Sequence, residues 1–373
     1  MKTICVLVPV WWPVGGIRTY LKYVLSNPVF SNYHFTFVSS EAMWGNFSEE
    51  LEQINHTFIG TADNLFHFYH AIRRELRGKQ FAFIHAHGLT SAVIAVFALL
   101  FRKPSLVVTL HDIFNIWQME SRLWPLKKFM ITCFLNKVNI IHCVGTEAAN
   151  NMHDSLPGLR TRTITIPNGI RTRQFLSAEP IDLNRLLNLD KNTFLIGFLG
   201  RFMSQKGFRY LIKAVELLSN EAKQVFSVIC FGDGGFIRED QQYIDEMHLN
   251  KYFHFMPPVS NIAPILKSLD VIAIPSLWEA CPLLPMEALV AGTPVIGTNC
   301  TGLKEVLLGT PALIIEPHNA EMLKDAILKC MGSNLRPEFK HYSAIASERF
   351  DITGTSLSME KFYRNFSEGH QHI

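Results

Sequence analysis

No two of the seven cysteines are spaced as C-x-x-C, and their number is odd. That excludes the common zinc and thiol-redox patterns and argues against a disulfide scaffold. Scattered cysteines, with Cys5, Cys143 and Cys230 inside apolar runs, suit a reduced, cytoplasmic protein. Long apolar runs are lacking too. The longest, AVIAVFALLF (Ala92–Phe101), is about half of the roughly 20 residues that span a bilayer, so no transmembrane helix is expected. The opening MKTICVLVPVWWP has no small-residue cleavage site and reads as a first β-strand rather than a signal peptide. Charge is sparse. Charged residues make up 18% of the chain and the net charge is +3, which gives no general reason to expect nucleic acid. G-x-G-x-x-G is absent, so a nicotinamide cofactor is poorly supported. Low-complexity segments and short-period repeats are absent as well.

What is present is apolar and regularly ordered. Hydrophobic residues make up 48% of 373 positions, enough for two domains with large cores. Strand-like runs (TICVLVP, HFTFVSS, FAFIHAH, SLVVTLH, NIIHCVG) alternate with helical patterns near 16–26, 64–78, 89–101, 120–137 and 146–155. The second half repeats the scheme with TFLIGFLG, VFSVICFG, YFHFMP, VIAIPS, PVIGT and ALIIEP. Continuous apolar strands imply parallel sheets covered on both faces, and their alternation with helices implies doubly wound α/β architecture. The reading is α/β: two Rossmann-like doubly wound domains facing across a cleft. Their spans are 1–167 for the first, 168–350 for the second, and 351–373 for a helical tail packing back toward the first. The charge is uneven, net +5 over residues 1–165 and −2 over the rest.

In such sheets, ligands sit beyond the carboxyl ends of strands. After the first strand, Gly15 and Gly16 open a helix whose free N–H groups favour an anion, although a simple turn uses the same residues. IHAHG and LHD put His85, His87 and His111 at strand ends. A metal site lacks an obvious fourth ligand. The remaining readings are backbone-bonded histidines or, for His111, a neutral imidazole that meets a substrate hydroxyl or reacting oxygen. FLGRFMSQKGF sets Arg201 and Lys206 in a Gly-bounded loop suited to a diphosphate or to a surface ion pair. FGDGG places Gly232 after the next strand, where backbone can approach a ligand closely. In WEACPLLPMEALVAGTP, Pro285 fits the first turn of a short helix and Gly292 its end. Glu287 then falls near the positive helix terminus, within the first turn or so, and Glu279 lies in the loop before it.

GG after the first strand, IPNGI, GRFMSQKG, FGDG and E-x7-E, in this order across most of the chain, resemble the retaining GT-B glycosyltransferases of family four (glycosyltransferase group 1), bacterial surface-polysaccharide type. The resemblance implies a hexosyltransferase acting on a UDP- or GDP-sugar co-substrate, with no metal and no other cofactor. It implies that Arg201 and Lys206 hold the diphosphate, Glu287 the ribose and Glu279 the transferred sugar. Gly15, Gly16, Gly232, Leu283 and Leu284 would line the donor, Asn168 would mark the interdomain joint, and His111 would sit by the reaction centre. Ala280–Pro282 depart from the family, which often has glycine soon after the first glutamate.

The acceptor, a glycan or lipid-linked glycan of O-antigen, capsule or exopolysaccharide assembly, would be bound by the basic first half. Arg73, Arg74, Arg77, Lys79, Arg102, Lys103, Lys127 and Lys128 lie there beside Trp11, Trp12, Phe66, Phe68, Tyr69, Trp117 and Trp124. Such a surface suits an anionic membrane face on the cytoplasmic side. Two other functions fit the same pattern: a nucleotide-sugar epimerase or hydrolase, and a non-catalytic nucleotide-sugar binder.

Overall fold

The apolar runs form two parallel sheets. The computed structural model of the protein describes residues 3–45, 47–100, 104–115 and 119–368. Arg102, Lys103 and Trp117 lie outside these. By contacts the chain divides into Met1–Gly169 with Ile352–Ile373, and Ile170–Asp351.

Among the described residues the first unit holds seven strands in the order β3-β2-β1-β4-β5-β6-β7. They are β1 (Ile4–Pro9), β2 (Tyr33–Ser40), β3 (His56–Thr61), β4 (Phe83–His87), β5 (Leu106–Leu110), β6 (Ile140–Cys143) and β7 (Arg162–Thr165). The central strands are largely apolar because helices cover both faces, with His85, His87, Thr109 and His142 as buried polar exceptions. Val6, Leu7, Val107, Val108 and Ile141 are essentially inaccessible. Each such side chain stabilises the fold by roughly 1.5–3 kcal/mol relative to exposure. β3 and β7 are absent from the strands expected from sequence. Both are sheet edges and only partly buried, so HTFIGT and RTIT lack the apolar signature of the inner strands.

The helix Ile352–Ser367 belongs to this unit. Thr355 Oγ1 donates to the Pro167 carbonyl (2.9 Å), Ser356 Oγ donates to the Val24 carbonyl (3.2 Å), and the buried Tyr363 ring packs edge-on against Phe83. Phe68, expected on a surface with other aromatics, is wholly buried and packs against Trp11.

The second unit holds β8 (Phe194–Leu199), β9 (Phe226–Phe231), β10 (Phe253–Met256), β11 (Val271–Ile274), β12 (Val295–Thr298) and β13 (Leu313–Ile315), ordered β10-β9-β8-β11-β12-β13. The core joins Phe198, Phe202 and Phe208 to Ile196, Leu211 and Val228. In each sheet the strand order reverses beside the first strand, between β1 and β4 and between β8 and β11. Crevices for ligands open at such switch points.

Two glycines distinguish packing from openness. Gly207 (φ +65°) links a 3-10 turn, Ser204–Lys206, to the helix Phe208–Glu221, and a Cβ there would sit 1.9 Å from the Pro275 carbonyl oxygen. A Cβ on Gly16 would meet nothing within 4 Å. Gly207→Ala should therefore lower stability by about 2 kcal/mol or more, through backbone strain and displacement of the Pro275 loop. Gly16→Ala should stay within about 0.5 kcal/mol of the parent chain. Denaturant unfolding of both variants checks this, and equal losses would contradict it.

Candidate active site

The β8–β11 switch point collects the charged residues that the sequence resemblance relates to the donor. The loop after β8 carries Arg201 and Lys206, and the loop after β11 carries Glu279. The two loops are stitched together. Leu277 N–H donates to the Gln205 carbonyl (2.8 Å), and Gln205 Nε2 donates to the Trp278 carbonyl (3.0 Å). This clamp brings Lys206 Nζ to 2.6 Å from Glu279 Oε1. Ser276 Oγ donates to the same oxygen at 2.8 Å. Glu279 Oε2 has no partner among the described residues. Glu279 is only 5% exposed, so one oxygen fixes Lys206 while the other remains available to a ligand hydroxyl. The Arg201 side chain is exposed and pairs with no described residue.

The backbone of Glu279 is also held. Its N–H donates to the Thr301 carbonyl (3.0 Å). Gly302 (φ +78°) follows β12, and a Cβ there would lie 2.3 Å from the Glu279 carbonyl oxygen. Ser276, Gln205 and Gly302 escape a reading of the sequence because none is unusual for a loop; only the crossing of the strand-end loops gives them a role.

The segment after Glu279 makes the helix Leu283–Ala291, capped at its end by Gly292 in the left-handed conformation. Pro282 occupies the N-cap and offers no side-chain hydrogen bond. Pro285 is the third helical residue and carries no N–H. The N–H groups of Leu283 and Leu284 are therefore the unpaired donors of this terminus, where the helix dipole favours an anion. Glu287 is the fifth helical residue, in the second turn rather than the first, and no acidic residue lies in the first turn. It is thus not simple compensation of the helix end. Its carboxyl is 8% exposed and has no hydrogen-bond or ionic partner among the described residues. Burial pushes its pKa up to about 7.

Gly232 (φ +146°) has a packing reason to be glycine: a Cβ would lie 1.9 Å from the Gly200 carbonyl oxygen. It lets the loops after β8 and β9 touch.

In the first unit, Gly15 (φ +54°) is the N-cap of the helix Gly16–Leu25 and gives no side-chain cap. Asn168, one residue before the end of the unit's first segment, donates its N–H to the Val144 carbonyl (3.2 Å). His111 follows β5, with Nε2 at 2.9 Å from His87 Nδ1. His85, His87 and His142 are buried on neighbouring strands, with His87 in register with Thr109 and Thr109 with His142. Burial and the neighbouring imidazoles hold His111 neutral, its pKa lowered to about 3, and burial lowers His142 to about 4. No group of three metal-ligating side chains converges among the described residues. His142 stands inside an apolar strand, and the sequence does not reveal that it shares a sheet face with the other histidines.

Residues 14–174 match the family model described as Glycosyltransferase Family 4, and residues 193–333 match that described as Glycosyl transferases group 1. A D-inositol 3-phosphate glycosyltransferase of Corynebacterium jeikeium is 29% identical over 48% of this chain and 45% of its own length. A UDP-Gal:alpha-D-GlcNAc-diphosphoundecaprenol alpha-1,3-galactosyltransferase of Escherichia coli is 27% identical over 61% of this chain and 60% of its own. The chain thus spans about half the length of these curated relatives. Among solved structures, Anabaena Alr3699/HepE in complex with UDP superposes with a TM-score of 0.79 at 20% identity, covering 98% of this chain and 100% of that one. Sucrose-phosphate synthase from Thermosynechococcus elongatus gives 0.84 at 16%, covering 99% and 100%.

Glu287→Gln should show the burial of this carboxylate directly. A raised pKa means the folded carboxyl keeps a proton that the unfolded chain releases, so stability falls as pH rises from about 4.5 through about 7. The variant should gain up to about 3 kcal/mol over the parent chain at pH 8 and little at pH 4. Thermal unfolding at both pH values decides, and a gain independent of pH would count against it. The matched segments, one in each unit, and the two parallel sheets together give this chain the GT-B glycosyltransferase fold.

Proposed function

We propose that the protein is a retaining glycosyltransferase that takes a UDP-sugar and extends a lipid-linked glycan. One observation carries this reading: a single strand-end crossing gathers unpaired Arg201, the Lys206–Glu279 pair, two open helix N–H groups and the buried, unpartnered Glu287. This set matches the parts of a nucleoside diphosphate-sugar. The N–H groups of Leu283 and Leu284, with Arg201 and Lys206, would hold the diphosphate. Glu287 would accept hydrogen bonds from ribose hydroxyls, and the free oxygen of Glu279 from a sugar hydroxyl. A ligand with paired hydroxyls offers Glu287 the partners it lacks, which offsets the cost of burying its charge.

The chemistry follows from charge. Breaking the bond between the anomeric carbon and phosphate leaves positive charge on the sugar and negative charge on the diphosphate. Fixed cations aimed at the growing anion stabilise the transition state more than the ground state. Arg201 and Lys206 would do this without a divalent ion. Retention is assigned to attack on the same face, with the acceptor hydroxyl proton passing to the departing phosphate oxygen. His111, neutral and in the first unit, would contact a substrate hydroxyl or a reacting oxygen. The choice of UDP draws on the solved structures with UDP and with UDP-glucose, and the lipid-linked acceptor on the galactosyltransferase relative.

Lys206→Ala and Arg201→Ala should each lower turnover by about 100-fold or more, and EDTA should leave turnover unchanged. A thermal-shift screen of UDP-, GDP- and ADP-sugars followed by transfer assays provides the test. Near-normal turnover in the double variant would remove the diphosphate assignment.

The first unit also offers a surface for the membrane that would hold such an acceptor. The helix Trp124–Leu135 buries only Leu135. It presents Leu126 (58% exposed), Phe129 (67%) and Met130, preceded by exposed Leu123. Lys127 and the neighbouring Arg122 are exposed beside them. No helix of the described residues is long and apolar enough to cross a membrane. Peripheral docking of this helix on anionic lipid fits its apolar and basic faces. The double variant Leu126→Glu, Phe129→Glu should abolish pelleting with anionic vesicles and leave thermal stability unchanged. Equal recovery of the parent chain with neutral and anionic vesicles would defeat the idea.

A further inference from the structure

The buried histidines of the first unit form two hydrogen-bonded sets, and with every ring held neutral by burial the proton positions of one of them follow from valence. His142 Nε2 lies 3.0 Å from the Ile166 carbonyl oxygen, which can only accept. The proton of His142 is therefore on Nε2, and its Nδ1 must accept from Thr109 Oγ1 at 2.9 Å. With its hydroxyl proton used there, Thr109 accepts from His85 Nε2–H at 2.6 Å. His85 Nδ1 then accepts from the Tyr363 hydroxyl. The chain runs in one direction, from Tyr363 through His85, Thr109 and His142 to Ile166. Every ring in it is neutral and in one tautomer.

The second set is the pair His87 and His111. The His87 ring lies 4.3 Å from the fixed His85 ring and 5.2 Å from that of His111, nearly parallel to the latter. Tyr20 packs against both, 5.8 Å from His87 and 5.0 Å from His111. The groups facing the pair, His85, His142 and Tyr20, are all uncharged. Burial, with a smaller contribution from neighbouring imidazoles, pushes both pKa values far down. Two neutral imidazoles joined by one N–H···N bond have a fixed complement: one outer nitrogen carries a proton and the other a lone pair. His87 Nε2 and His111 Nδ1 are those outer nitrogens, and neither has a partner among the described residues.

We propose that His87 is the positioning residue for His111: its Nδ1–H donates to His111 Nε2 and so places the remaining proton on His111 Nδ1, as a hydrogen-bond donor to a substrate oxygen. The direction rests on the glycosyltransferase reading, in which the reacting oxygens gain negative charge and require a donor rather than a lone pair. His87 touches no substrate in this scheme. It acts by removing the tautomeric freedom that a lone neutral histidine retains, as an orienting partner does for other imidazoles. The buried chain through His85 and His142 holds the ring against which His87 packs at a tilt.

The test is long-range proton–nitrogen NMR of the full chain labelled at histidine with nitrogen-15, at pH 7, with the His111 signals assigned by their loss in His111→Asn. The parent chain should show His111 neutral, protonated at Nδ1 and bare at Nε2. In His87→Leu the His111 signals should move to the other tautomer or to a mixture. Turnover should fall by about tenfold or more with the donor KM within about twofold. His87→Asn, whose amide nitrogen can replace Nδ1, should recover most of the turnover. A proton on His111 Nε2, a charged His111, or an unchanged tautomer in His87→Leu would overturn the proposal. So would equal loss of turnover in the Leu and Asn variants. Absence of any sugar transfer by the parent chain would instead defeat the glycosyltransferase reading, and the tautomer spectra would still decide the pairing.

Discussion

The crossing of the loops after β8 and β11 is the constraint on which the candidate site depends. At that crossing Gly207 passes so close to the Pro275 carbonyl that no side chain fits, and Gln205 is bonded to the backbone of both Leu277 and Trp278. The Lys206–Glu279 pair is the result. A partly buried ammonium and a buried carboxylate at 2.6 Å exist there because the backbone brings them together. Such a pair adds little to net stability, since its attraction must offset desolvation. Its value is positional: Lys206 is held in one place and the other oxygen of Glu279 has no partner among the described residues.

Glu287 shows the opposite arrangement. It is buried without a partner, and its ionised form is disfavoured. A fold selected only for stability would fill that position with an apolar or amide side chain. Under the proposed function a bound ligand would supply the missing bonds. The histidines of the first unit solve the same problem internally. Each buried nitrogen of His85 and His142 finds an oxygen, and protons are ordered from Tyr363 to Ile166. His87 and His111 satisfy one another and leave one donor and one acceptor over.

Much of the fold is legible in the sequence because inner strands of a parallel sheet are buried on both faces and must be largely apolar. All six strands of the second sheet and five of the first can be found that way. β10 and β13 are edges too but keep apolar runs, whereas HTFIGT of β3 and RTIT of β7 are interrupted by polar residues and so carry no strand signal. The proline-started helix at Leu283 and its Gly292 end follow from local chemistry. The turn in which Glu287 falls does not, since it depends on Pro282 standing at the cap, which makes Pro285 the third helical residue and Glu287 the fifth.

By itself, then, the sequence determined the α/β alternation and the identity of the charged residues at strand ends. These follow from burial and from what short stretches of backbone can do. Only the tertiary structure decided which of them meet. Glu279 and Lys206 are separated by 73 positions, and His85 and Tyr363 by 278. No local rule links residues so far apart. Their contacts are set by strand order, β8 beside β11, and by the packing of the helix Ile352–Ser367 on β4. The same holds for the pKa of Glu287 and the tautomers of the histidines, because desolvation and hydrogen-bond direction are properties of the packed surroundings.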